Sequence, residues 1–392
     1  MTGNEVLLLV GTRPEAVKVA PVALALAAHP NIRPLLVHSG QHGSIVRDAL
    51  APFGLQPDES LDVRRSSGSQ AELMAGLLPR LDELLDRRAP AAVLVQGDTT
   101  TTLAGALAAY WRRVPVVHLE AGLRTGNRDS PFPEEGNRQL VARIAALHLA
   151  PTARAARALR AESIPATDIV VTGNTVVDAV QHMALLDRPP VSAQFAAVER
   201  TLDGCAGRLI LVTLHRRESW GAPMARMLNA ICQVVEEHPD VHALLPVHPN
   251  PAVRAQLRAA SGHHPRVQVT EPLDYPDLVR ALRRSALVLT DSGGIQEEAP
   301  SFGVPVLVLR AVTERPEAID AGCAWLVGTD PAVIVASARR LLAARPRPRV
   351  KRNPFGDGMA AARVVNALER LLAHRLGDDE AGEDEVVEFC VQ

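Results

Sequence analysis

An α/β fold built from two Rossmann-like doubly wound domains is what the sequence predicts, on three observations. Short, near-continuous apolar runs recur along the chain. Longer Ala/Leu/Arg segments with helical spacing separate most of them. The alternation then starts afresh near the middle of the 392 residues. Strands that are apolar throughout are buried on both faces, as in a parallel sheet covered by helices. At roughly 100–200 residues per domain, the length fits two domains.

In the first half the runs are "EVLLLV" (5–10), "PLLVH" (34–38), "AAVLVQ" (91–96), "VPVVHL" (114–119) and "IVVTG" (169–173). The segment "AELMAGLLPRLDELLDRR" (71–88) shows the helical spacing between them. "LLDRPPVSAQFAAVERTLDG" (185–204) carries a connection or a short helix. The second series reads "RLILVTL" (208–214), "HALLPV" (242–247), "RVQV" (266–269), "ALVLT" (286–290) and "VPVLVL" (304–309). The domains are placed at 1–172 and 173–357. An amphipathic helix follows at 358–375, and the acidic end "LGDDEAGEDEVVEFCVQ" (376–392) is expected to be a disordered tail.

Forty-two basic and 44 acidic side chains leave a net charge of −2, which gives no reason to expect nucleic acid or an anionic membrane as partner. No apolar stretch approaches the ~20 residues that span a bilayer, and the N-terminus lacks the basic segment of a signal peptide. Cys205, Cys232, Cys323 and Cys390 are scattered without CxxC spacing, which argues against a disulfide framework and a zinc site. The expected location is cytoplasmic. Lys18 and Lys351 are the two lysines among 42 basic residues, a skew typical of a GC-rich genome that makes a retained lysine notable.

Ligands of doubly wound sheets sit outside the carboxyl ends of the strands. Residues that directly follow strands are therefore the candidates, and two such sheets facing each other would close a cleft lined by them. Arg13, in "GTRPEAVKVAP" (11–21), stands at the first strand-to-helix turn. A helix start explains Pro14 and Glu15 but not a cation at the positive helix end, whereas a guanidinium binds phosphate through two parallel hydrogen bonds. Lys18, one turn on, either reaches the cleft or is solvated.

Asp98, in "QGDTTTT" (96–102), also fits a helix cap. Glu120, in "HLEAGLRTG" (118–126), directly follows an apolar strand, where a carboxylate is costly unless paired or used. Glu134, in "SPFPEEGNRQL" (130–140), enters its helix behind two prolines, with Glu135 beside it as a first-turn acid. Three acids gathered from distant strand ends would raise one another's pKa and supply proton donors and acceptors, with Arg124 and Arg138 balancing their charge. At least two of the three are expected to be catalytic.

In the second half, His215 ends the first strand in "VTLHRRESWG" (212–221). A lone histidine is commonly structural, but the arginines and glutamate after it favour a phosphate contact or a general acid. His248, between prolines in "PVHPNP" (246–251), fits a rigid turn better. "TDSGGIQEEAPSFGVPVL" (290–307) sets Ser292, Gly293 and Gly294 after an apolar run. Small residues there permit close approach, and the helix they open offers N–H groups to an anion, most often phosphate. The loop lacks both GxGxxG and GxxxxGK[ST] spacing, so neither a dinucleotide fingerprint nor a P-loop is indicated. Glu298, read as lying in the first turn of that helix, suits the vicinal hydroxyls of a ribose or simply the helix dipole. Arg315, in "TERPEAI" (313–319), precedes a proline-led helix start as Arg13 does. Together these residues describe a nucleoside diphosphate site.

Taken in order, "GTRPEAVKVAP", "GDTTTTLAGALAA", "HLEAGLRTG", "SPFPEEGNR", "TGNTVVDA", "HRRES", "PVHPNP", "TDSGGIQEEAPSFGVPVLVLR" and "TERPEAI" resemble the signatures of the non-hydrolysing UDP-N-acetylglucosamine 2-epimerases, over about residues 5 to 357. The resemblance implies a glycosyltransferase-B-type fold with the site between its domains and the 358–375 helix packed back on the first. It implies interconversion of UDP-GlcNAc and UDP-ManNAc without NAD or metal, through elimination of UDP to 2-acetamidoglucal and re-addition. It implies Asp98, Glu120 and Glu134 as catalytic acids, with His215 assisting departure of UDP. Arg13, Lys18, Ser292, Gly293, Gly294, Glu298 and Arg315 match UDP-binding positions, and Arg138 is counted with the substrate-binding residues. A homodimer is the implied assembly.

Two departures stand out against the resemblance. Leu273 and Leu278 in "EPLDYPDL" (271–278) occupy places where some relatives carry Gln and Phe near the uracil, which leaves base recognition to backbone groups. "RRSSGSQAEL" (64–73) lacks an arginine that certain relatives use to bind a second UDP-GlcNAc as activator. Gln41, His42 and Arg216 persist, and with His248 they are the candidate allosteric positions. The rival readings are a hydrolysing epimerase releasing ManNAc and UDP, a UDP-sugar glycosyltransferase of the same fold, and a catalytically silent UDP-sugar sensor. The glycosyltransferase would not need three acids in its first half, and their retention also speaks against the sensor.

Overall fold

A computed structural model of the chain describes residues 4–41, 43–63, 66–186, 188–214, 216, 220–247, 254, 264–344 and 352–382. The chain forms two compact units, Met1–Thr175 with Met359–Gln392, and Val176–Gly358.

The first unit is built on seven parallel strands: β1 (Glu5–Val10), β2 (Arg33–His38), β3 (Glu59–Ser60), β4 (Ala92–Gln96), β5 (Val116–Leu119), β6 (Leu147–Ala150) and β7 (Ile169–Val171). Their order across the sheet is β3-β2-β1-β4-β5-β6-β7. The central strand β1 has Leu7 in register with Leu35 on one side and Val93 on the other, and Val6 to Val10 are at most 1% exposed. Such a strand has no solvent face, which is why its sequence does not alternate. α1 (Arg13–Ala27), α2 (Gly43–Leu50), α3 (Gln70–Arg88) and α4 (Thr100–Trp111) are among the helices that connect the strands. α3 buries Leu73, Leu77, Leu81, Leu84 and Leu85, a stripe at three- and four-residue spacing, against the sheet core. Ser69 caps α3 by accepting from the Glu72 N–H.

The second unit repeats the plan with six parallel strands: β8 (Arg208–Thr213), β9 (Val241–Pro246), β10 (Val267–Thr270), β11 (Ser285–Thr290), β12 (Val306–Val308) and β13 (Ala324–Leu326). Their order is β10-β9-β8-β11-β12-β13. Numbered within each sheet, the second reads 3-2-1-4-5-6, the doubly wound order, and the first reads the same with a seventh strand at its far edge; both have a switch point between the first and fourth strands. In the first unit that point lies between β1 and β4, in the second between β8 and β11. The stretch 185–204 contains a full helix, Ala193–Cys205, whose entry is fixed by Asp277 accepting from the N–H groups of Val191 and Ser192 at 3.1 and 2.8 Å.

The unit boundaries fall at 175/176 and 358/359. The last helix, Ala360–Gly382, runs past 375, where the sequence places the start of an acidic tail. Extending a formed helix adds one hydrogen bond per residue fixed, so propagation costs less than the start. Within the first unit it lies against α1, where His29 Nε2 is 3.7 Å from Glu369 Oε1. No helix among the described residues is long and apolar enough to cross a membrane.

Candidate active site

At the switch point of the first unit, the turns after β1 and β4 are tied together by Glu15. Its carboxylate accepts from the N–H groups of Gly11 (2.6 Å) and Thr12 (2.8 Å) and from the hydroxyls of Thr99 (2.5 Å) and Thr102 (3.3 Å). Burial at 2% exposure pushes its pKa up, while these hydrogen bonds pull the other way. Glu15 is thus a capping-box residue that also spans to α4. Gly11 allows this closeness, since a Cβ there would sit 2.4 Å from Thr101 Oγ1 and 2.5 Å from Ser39 Oγ. Arg13, the first residue of α1, is half-buried at this turn.

Glu120 directly follows β5 with φ +65°, in the left-handed region that a residue with a side chain occupies at a cost. Its carboxylate is gripped from three directions. Lys18 Nζ pairs with Oε1, Asn174 Nδ2 donates to Oε1 at 3.1 Å, and Gln96 Nε2 donates to Oε2 at 2.5 Å. Lys18 is therefore not solvated: it is 6% exposed and serves as a buried counter-ion. Behind it His118 Nε2 donates to the Gly97 carbonyl (2.7 Å), and burial pushes its pKa down to about 3.

Asp98, at the entry to α4, pairs with Arg138 Nη2 at 2.7 Å, and its carbonyl accepts from Asn137 Nδ2 at 2.9 Å. Arg138 is buried and also lies 3.5 Å from Glu135, whose carboxylate accepts from the Thr125 N–H and from Gln139. In place of a bare cluster of like charges, the structure has two ion pairs, Lys18–Glu120 and Arg138–Asp98. Glu134 opens α5 (Glu134–Ile144) half-buried; its carbonyl accepts weakly from Arg138 Nε at 3.4 Å, and its carboxylate joins no ion pair among the described residues. Arg124 does not balance these acids: it holds Glu162 through two hydrogen bonds of 2.6 and 2.9 Å.

In the second unit, Asp291 follows β11, fully buried, and accepts from the Arg216 N–H at 3.0 Å, linking the segments after β8 and β11. Ser292 occupies the cap position of the short helix Gly293–Glu298 without a side-chain cap bond. Arg315 lies directly over the loop. A Cβ on Gly293 would be 3.1 Å from its Cζ, so the first glycine of the pair makes room for the chain's own guanidinium. That guanidinium is held by Glu297 at 2.8 Å and Glu314 at 3.0 Å. At Gly294 a Cβ would meet nothing closer than 4.0 Å. Glu298 ends this helix rather than lying in its first turn, because the helix is six residues long; it is 7% exposed, one turn from Gly294. Leu273 is core, 4% exposed, and precedes the Asp274 cap of the helix Tyr275–Arg284; Leu278 is half-buried on that helix.

Gln41 accepts from the Thr101 hydroxyl at 2.6 Å through its side chain, and its N–H donates to Ser39 Oγ at 3.2 Å. The positions of His42, His215 and His248 lie outside the described residues. The sequence reading missed Gln96, Asn174 and Glu135 as first neighbours of the acids; Asn174 stood in the quoted "TGNTVVDA", but a motif does not show which way its amide points.

Known proteins align with this chain along nearly its whole length. The family model described as UDP-N-acetylglucosamine 2-epimerase matches residues 24–369. The UDP-N-acetylglucosamine 2-epimerase of Bacillus subtilis is 44% identical over 375 residues, 94% of this chain and 95% of that protein. The crystal structure of UDP-GlcNAc 2-epimerase from Neisseria meningitidis bound to UDP-GlcNAc has a TM-score of 0.86 at 38% identity, covering 93% of this chain and 100% of the other. The Methanocaldococcus jannaschii UDP-GlcNAc 2-epimerase in complex with UDP-GlcNAc and UDP has a TM-score of 0.78 at 30% identity, covering 93% and 99%. The chain belongs to the UDP-N-acetylglucosamine 2-epimerase family, a family of isomerases.

Proposed function

We propose that this protein interconverts UDP-GlcNAc and UDP-ManNAc without hydrolysis. The observation that carries the reading is the two ion pairs at the strand ends of the first unit, Lys18–Glu120, which is buried, and Arg138–Asp98, which is half-buried on the Asp98 side. A diphosphate-binding platform of Gly293, Gly294 and Arg315 in the second supports it. The C2–H bond of the sugar is unactivated, so the reaction is driven by departure of UDP. The C1–O bond breaks with its electron pair leaving on the diphosphate, the C2 proton passes to a carboxylate, and a C1=C2 double bond forms. Re-addition returns UDP to C1 and a proton to the opposite face of C2. Arg315 and Arg13 stabilise the charge growing on the diphosphate, Ser292 and the two glycines cradle it, and Glu298 receives the ribose hydroxyls. Asp98 and Glu120, each beside a fixed cation, act as carboxylates; Glu134 is the acid left to exchange protons. His215 assists UDP as it leaves.

Incubation with UDP-GlcNAc in D₂O is expected to give UDP-ManNAc with deuterium at C2. Free ManNAc as the sole product would replace this reading with a hydrolysing epimerase, and binding without exchange would replace it with a sensor.

A further inference from the structure

We propose that Asn174 is a positioning residue for Glu120, tethering the catalytic carboxylate to the place where the chain passes between its two units. The inference rests on the catalytic role given to Glu120 above. Asn174 is 3% exposed and donates its amide to Glu120 Oε1 at 3.1 Å, the oxygen that Lys18 also engages. The next residue, Thr175, is the last of the first unit on the outward pass and the first of the helix Thr175–Leu185, which continues into the second. Gly173, at φ +89°, turns the chain from β7 into that helix. One residue earlier, the Thr172 carbonyl accepts from Arg363 Nη1 at 3.1 Å. Arg363 stands just beyond the return crossing at 358/359. Thr172 and Arg363 therefore staple the two crossings together, and Asn174 carries that staple on to Glu120.

The chemistry of the side chain fits this duty. A carboxylate needs donors, and an amide of this shape supplies one without adding charge; an aspartate of the same size would present a second acceptor and a like charge. Glu120 is held in a left-handed backbone conformation, which persists only where the surroundings over-determine it. The residues at 173–175 are element-terminal positions of the kind that absorb hinge motion. A shift of the chain path there moves the Asn174 amide relative to Glu120, so the tether couples the acid's alignment to the geometry of the crossing.

The test compares Asn174→Ala, Asn174→Asp and Arg363→Met with the wild type in the UDP-GlcNAc epimerase assay, with UDP affinity by calorimetry and melting curves as the check on folding. Asn174→Ala is expected to lower kcat about tenfold or more, the loss of one hydrogen bond to a charged group, with KM within about twofold. Asn174→Asp should lose at least as much despite its matching shape. Arg363→Met, which removes the bond to the Thr172 carbonyl, should lower kcat several-fold and leave UDP affinity unchanged. Recovery of wild-type kcat in Asn174→Asp would make Asn174 a packing residue and overturn the tether, as would unchanged kcat in Arg363→Met. A loss carried by KM alone would do the same. In all these results the wild type turns over and the proposed function stands; a wild type without turnover removes that function and the tether with it.

Discussion

Replacing Lys18 by methionine separates two duties that a buried lysine in this place can have. The ammonium and the Glu120 carboxylate are each 8% exposed, and methionine nearly matches the lysine stem in length, so the change removes a charge with little loss of packing. Leaving one member of a buried pair uncompensated costs about 3–5 kcal/mol while it stays ionised. Glu120 escapes most of that cost by taking a proton. At about 1.4 kcal/mol per pH unit, the lower figure corresponds to a rise of about two units in the pH at which it ionises. The neighbouring His118 is held neutral by burial and offers no replacement cation. The acid limb of the kcat/KM profile for epimerisation should therefore move up by about two pH units in Lys18→Met. Activity lost near about pH 5.5 should return in large part by about pH 7.5, while UDP affinity stays within a few-fold. The assay is a coupled measurement of UDP-ManNAc formed across about pH 4–8.5, with calorimetric UDP titration alongside. An unmoved acid limb with KM raised at every pH would refute the counter-ion role and assign Lys18 to the diphosphate.

Four further outcomes follow from the same geometry. His118 and His148 face each other in register on β5 and β6, and burial pushes them down to about 3 and about 4. Both are depressed bases, so the native state holds fewer protons than the unfolded chain below about pH 6.5. Stability should be flat above that value and fall as pH drops toward 4. In urea titrations, His118→Gln should show a shallower fall; equal slopes in the two proteins would discard the argument. Gly122 has φ +90°, and a Cβ there would lie 2.3 Å from the Ala155 carbonyl oxygen, so Gly122→Ala should unfold or fail to accumulate. Gly294→Ala meets nothing within 4.0 Å and should fold normally, yet lose UDP affinity by about tenfold or more, equivalent to about 1.4 kcal/mol. Wild-type affinity in that variant would show that nothing needs to approach Gly294. Gly293→Ala should displace Arg315 by a few tenths of an ångström and weaken UDP binding with the melting temperature preserved; unchanged binding would take Arg315 away from the diphosphate.

The sheets were legible because burial on both faces leaves an unbroken apolar signature, and β1 shows it in "EVLLLV". The strand-end rule then located Asp98, Glu120 and Ser292 through topology alone. What the sequence could not display is the direction of side chains after a turn. Glu15 read as a first-turn acid and is one, but it also bonds to Thr99, 84 residues away. Glu135 read as incidental beside Glu134, whereas the helix turns it inward onto Arg138. Lys18 lay between two readings because a long flexible stem leaves its ammonium many places to go, and only the position of Glu120 decides among them. Gly293 was read as space for a ligand; the space is taken by Arg315, from a segment 22 residues downstream. In each case the missing information is a contact between distant segments, which periodicity and spacing do not encode.

On the proposed function, the two switch points would let one topology serve two kinds of chemistry. Both units place a turn after their first strand beside a turn after their fourth, and in both a buried carboxylate bonds across the gap. Glu15 does so from α1 to Thr99, and Asp291 does so from β11 to the Arg216 N–H. These bridges fix the backbone, so the groups that project from the turns are free to differ. In the first unit they are acids with their own cations, which suits moving a proton at a site whose net charge stays near zero. In the second they are small residues and an arginine anchored by two glutamates, which suits receiving an anion. An arginine so anchored cannot follow a departing ligand; it waits at fixed geometry, and stabilisation of growing charge is greatest where the donors need not reorganise. On the proposed function, the glutamates at 297 and 314 would act on the diphosphate through Arg315, and neutralising Glu297 should slow the chemical step more than it weakens ground-state UDP binding.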